Sequence, residues 1–164
     1  MDIAAAAGML GWLEATQLSH AMRYSLWLYP IVEIIHIVGF SILVGSVVMF
    51  DVRLLGASRI VPVYALGKQL LPWSIASTAV IVPAGLMLFS AHPHELVDNP
   101  IFLLKLGLIA AAGANALLFH RGIYRTVDSW KTGAKTPALA RVHAAFSLIA
   151  WAAVISCGRL LAYT

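Results

Sequence analysis

Four long apolar segments, residues 26–50, 70–90, 101–119 and 138–163, take up most of this chain. Backbone amides and carbonyls in the hydrocarbon of a bilayer must be hydrogen-bonded within the protein, so a segment of about 20 mostly apolar residues crosses as a helix. With their connections, four such crossings use nearly all of the 164 residues and leave no room for a soluble catalytic domain. Composition agrees: 61% of residues are hydrophobic and 11% charged, against roughly 25% charged in an ordinary soluble domain. The expected fold class is all-α, an integral membrane four-helix bundle forming a single domain over residues 1–164. Neither a long-period repeat nor a low-complexity linker divides it.

Within residues 9–23, Leu10, Leu13, Leu18 and Met22 alternate with Glu14, Gln17, Ser19, His20 and Arg23. This pattern predicts one short amphipathic helix lying in the membrane interface. Asp2 stands where a secretory signal would carry Lys or Arg, so the N-terminus is expected to be retained. Pro30 falls in the first turns of the first span, where a missing N–H costs least, and Asp51, Arg53 and Gly56 mark the exit of that span. Pro83, inside the second span, predicts a kink.

Lys and Arg are distributed unevenly over the connections. Arg53, Arg59 and Lys68 follow span one, and Arg121, Arg125, Lys131, Lys135 and Arg141 follow span three, whereas the turn AHPHELVDNP at residues 91–100 has none. The positive-inside rule then puts both basic connections in the cytoplasm and both termini outside. The net charge of +4 is read as this topology signal, flanking apolar spans, and not as a nucleic-acid surface.

Within the spans, polar side chains are rare enough to be read one by one. An imidazole or a charge in the bilayer should face the bundle interior and have a partner. On a helical wheel His36 shares a stripe with Gly39, Leu43, Val47 and Phe50, and Glu33 lies one turn away. At about 1.5 Å per residue, His36 sits roughly 15 Å below the outer surface. Three readings of it are open: a neutral imidazole satisfied by a carbonyl or by Glu33, an axial ligand of a b-type haem, and a ligand to another metal or a proton relay. In the haem reading Gly39 leaves a gap for the flat macrocycle, Glu33 fixes the tautomer of His36, and Lys105 and Arg159 balance the propionates. Arg159 is equally a snorkelling residue at a helix end.

His120 and His143, at the other ends of spans three and four, are candidates for a second haem, or interfacial histidines satisfied by water and headgroups. Asn115 and Ser147 read as hydrogen-bonding glue between helices. His92 and His94 form an exposed His-x-His without a third fixed ligand, a weak motif for copper or zinc. Cys157 is the lone cysteine, which excludes an internal disulfide, a CxxC redox pair and covalent c-type haem.

Three stretches, WLYPIVEIIHIVGFSILVGSVVMFDVRLLG, NPIFLLKLGLIAAAGANALLFH and SLIAWAAVISCGRLLAY, resemble an uncharacterised family of small bacterial four-span membrane proteins over residues 26–163. More distantly, the first-span histidine followed by small residues and an exit arginine, with the later FLLKLG span, looks like the four-helix, haem-binding protoporphyrinogen oxidases and the membrane part of copper-resistance D proteins. The oxidase resemblance implies functional roles for His36 and Lys105. Asn115 departs from that pattern, standing close to where the oxidases have a further histidine. The combined expectation is a bacterial inner-membrane protein holding one haem b, or two, for electron transfer from a quinol or a porphyrinogen. Its partners would be the lipid bilayer, a quinone or a redox protein, and further copies or subunits of a membrane complex. Metal handling or transport, with AHPHE as a capture site, and a cofactor-free structural subunit are the alternatives.

Overall fold

The computed structural model describes residues 3–130 and 135–163, so Lys131 of the second basic connection lies outside the described residues. Described elements are all helical: α1 (Ile3–Glu14), α2 (Gln17–Tyr24), α3 (Leu28–Leu55), α4 (Val63–Ala91), α5 (Pro93–Asp98), α6 (Pro100–Arg121) and α7 (Ala138–Leu160), with 3-10 turns at Ile123–Ser129 and Leu161–Tyr163. Four helices, α3, α4, α6 and α7, are long and apolar enough to cross a membrane. The chain is an all-α membrane protein of four spans.

Three boundaries differ from the sequence expectation: α3 runs on to Leu55, past the expected end at residue 50, and the other two are the start of α4 and the N-terminal helix. α4 begins at Val63, not near residue 70, because Pro62 opens the helix there. Lys68 and Gln69 lower the hydropathy of its first turns without interrupting the backbone. At 29 residues the helix is about 43 Å long and outruns the hydrocarbon layer of about 30 Å. It continues through both Pro72 and Pro83. The single amphipathic helix expected over residues 9–23 is corrected to two: the hydroxyl of Thr16 accepts from the Ser19 amide at 3.2 Å and starts α2 afresh.

In the bundle α3 packs between α4 and α7, and α7 between α3 and α6, while α4 and α6 hardly touch. Where those two do approach, Phe89 stacks on Phe102 with ring centroids 5.8 Å apart. At the same end α2 leans on α4: the Ser19 hydroxyl donates to the Ser90 carbonyl at 2.7 Å, and Met22 packs with Val32, Ala84 and Ala91. At the opposite, basic end Gly56 closes α3 with φ of 119°, a left-handed cap that a side chain would strain. Arg53 is buried there, donating to the carbonyls of Val61 at 2.6 Å and Arg59 at 3.3 Å, and so ties the loop to its helix.

The α3–α4 contact is the tightest in the membrane region. A Cβ on Gly39 would stand 3.0 Å from Cγ1 of Ile81, and one on Gly85 would stand 3.1 Å from Cε1 of His36. Gly39→Leu is expected to lower stability by about 1–3 kcal/mol through overpacking, measured by detergent-induced unfolding. Ile81→Ala in the same chain should recover a large part of the loss. No recovery would mean that this contact does not set the helix separation.

Candidate functional site

His36 is held from α4. Its Nδ1 lies 3.1 Å from the carbonyl oxygen of Ile81. A carbonyl only accepts, so Nδ1 carries the proton and Nε2 keeps its lone pair. The sequence around that carbonyl is unusual for a helix. Pro83 cannot donate to Ala79, and Gly85 removes the side chain that would otherwise collide with the imidazole. The site is built by Gly39, Ile81, Pro83 and Gly85 as much as by His36.

This geometry corrects two expectations. Glu33 does not orient His36: the ring nitrogen is taken by a main-chain carbonyl, and Glu33 is exposed near Tyr29. Gly39 does not open a gap for a ligand, since Ile81 fills the space beside it. Lys105 is half-buried, within electrostatic range of His36, with Nζ 3.8 Å from where a Cβ on Gly158 would stand. Arg159 turns back along its own helix end, hydrogen-bonding the hydroxyl of Tyr163 and lying 4.7 Å from its ring centroid. Of the three charged neighbours expected near His36, the fold brings Lys105 toward it and directs Glu33 and Arg159 elsewhere.

Toward the basic end a second polar group joins α6 to α7. Asn115 Nδ2 donates to the main-chain carbonyl of His143 at 3.1 Å, which fixes the amide's orientation and aims its oxygen at His143 Nδ1, 2.7 Å away. His120 instead donates Nδ1 to the Ala116 carbonyl one turn back, at 2.8 Å. Both imidazoles pack edge-on against Phe119. The expected proximity of His120 and His143 is thus a shared contact with one aromatic ring. Phe50 and Tyr124 complete that aromatic cluster. The Tyr124 hydroxyl packs on Gly67, and burial raises its phenol above the ordinary tyrosine value, with Tyr64 and Asp128 adding to the effect.

Sequence reasoning took Asp51 as a marker of the end of span one. The structure buries it to 5% exposure, facing Ser147 of α7. The signal was present: on the wheel Asp51 falls about 60° from His36, on the inward side of α3. In the turn at residues 91–100, His92 Nδ1 is 3.7 Å from Glu95 in an exposed i,i+3 pair, and His94 is half-buried. Among the described residues no three His, Cys, Asp or Glu side chains gather as a metal site. Comparisons with family models, curated proteins and solved structures gave no match.

Proposed function

We propose that this chain is a b-type haem-binding membrane protein of electron transfer, in which His36 would hold the haem iron. The observation that carries the reading is the His36–Ile81 hydrogen bond, which leaves the Nε2 lone pair uncommitted in any described contact. Metal-ligating histidines characteristically donate their other N–H to a carbonyl or carboxylate, which fixes the tautomer and raises ligand basicity. A haem needs one or two side-chain ligands, so a lone membrane histidine suits it where a discrete zinc or copper site would need three or four. That requirement also disfavours metal capture by His92, His94 and Glu95.

Lys105 would balance the charge of a propionate, and Gly39 and Gly85 let α4 approach closely enough to hold the imidazole. Bound to His36, the haem would supply one-electron redox chemistry, while the protein supplies ligation, orientation and the local field. His120 and His143 are assigned to the aromatic cluster at the basic end, where the loop brings water within reach, and the reading uses one haem. A quinol is the favoured donor class, since it is delivered within the bilayer.

His36→Ala is expected to abolish haem binding, measured as haem per chain after purification, while His92→Ala and His94→Ala leave it unchanged. Wild-type stoichiometry in His36→Ala would remove His36 as the ligand.

In the same reading the basic connections face the cytoplasm of a bacterial cell and the turn at residues 91–100 faces the periplasm. With Cys157 replaced, a single cysteine at Glu95 should react with an impermeant maleimide in intact cells and one at Arg125 should not. The reverse pattern would invert the orientation.

A further inference from the structure

Asp51 is a carboxylate buried in a membrane helix, without a counter-charge among the described residues. It is 5% exposed, and its Oδ2 has no hydrogen-bond partner among the described residues. Ser147, 7% exposed, faces it from α7. Arg53 is two residues away, and residues at that spacing point apart on a helix. Its guanidinium is turned to the loop carbonyls of Val61 and Arg59. The remaining titratable groups on the neighbouring elements are otherwise placed. On α7, His143 is bonded to Asn115 and Arg141 is exposed. On α4, Lys68 lies 5.4 Å from the centroid of the Tyr64 ring. In the 3-10 segment, Tyr124 packs on Gly67 and Asp128 is exposed. Among the described residues the one ion pair is His92–Glu95, at the far end of the bundle.

Removing an ionised carboxylate from water costs several kcal/mol unless it is paired, so a lone one persists by taking a proton or a cation. A hard cation collects six or more oxygen ligands, and the described surroundings of Asp51 offer its own carboxyl and one hydroxyl. A proton asks for less. A carboxylic acid is one donor plus remaining acceptor capacity, and a serine hydroxyl complements either role.

We infer that Asp51 is a proton-binding site, a carboxyl that carries an exchangeable proton inside the bundle with Ser147 as its polar neighbour. It stands about one helical turn from the end of α3 at Leu55, so its proton has a short way to the aqueous side at the basic end. This assignment stands independently of the haem.

The test is labelling of the intact, purified protein with N,N′-dicyclohexylcarbodiimide, which selects protonated carboxyls in apolar surroundings. The acid adds across one C=N bond, its proton going to nitrogen and its carboxylate oxygen to carbon. The acyl group then migrates to nitrogen, leaving a stable N-acylurea heavier by the whole reagent. Peptide mass spectrometry is expected to find the adduct on Asp51 at neutral pH, to see it decline as pH rises, and to lose it in Asp51→Asn. An unlabelled Asp51 at neutral pH, or labelling indifferent to pH, would overturn the inference. Infrared spectra of the wild-type protein give an arm that needs no variant: a carboxylic-acid carbonyl band at neutral pH that shifts on exchange into D2O supports the site, and its absence counts against it.

Discussion

Hydrocarbon supplies no hydrogen-bond partner, so a polar side chain within the spans bonds to its own helix or to a neighbouring one, and the bonds between helices set the helix arrangement. The bond from His36 to the Ile81 carbonyl has the widest consequences. It requires α4 to come close to α3, which the side-chain-free surfaces of Gly39 and Gly85 permit. It also chooses the tautomer of the imidazole, and that choice decides what His36 can do chemically.

The same constraint explains why the chain divides its polar groups by depth. His36 and Lys105 belong to the half near the 91–100 turn, whereas Asn115, His143, Ser147 and Asp51 belong to the half near the basic loops. Each of these histidines has its Nδ1 committed to an oxygen, so the difference between them lies in surroundings. His36 lies more than two turns inside α3, whereas His120 stands at the end of α6 and His143 little more than one turn inside α7, both against an aromatic cluster. α4 and α6 scarcely contact one another, so the half-buried residues near His36 are less enclosed than a completed four-helix core would make them.

Hydropathy made the four spans legible because it reads the same free energy that the bilayer imposes. It could not read helix ends that project past the hydrocarbon, which is why the start of α4 at Val63 and the break at Thr16 were missed. His36 and Lys105 were legible as residues too costly to be there without partners. Their partners were harder to see: a main-chain carbonyl has no side-chain signature, and only Pro83 and Gly85, within the turn that follows Ile81, hinted at where it lay. Glu33 was chosen as the orienting group because it is one turn from His36, but proximity on one helix does not determine which face a neighbour offers. Asp51 was misread for the opposite reason, since a charge next to an arginine near a span's end looks like an exit signal until its burial is known.

The proposed role of His36 is to bind haem iron through Nε2. The most direct measurement is the visible absorption spectrum of the protein purified from haem-replete cells, oxidised and then reduced with dithionite. A Soret band that shifts on reduction, with alpha and beta bands appearing, is the expected result. A colourless, folded protein would contradict it.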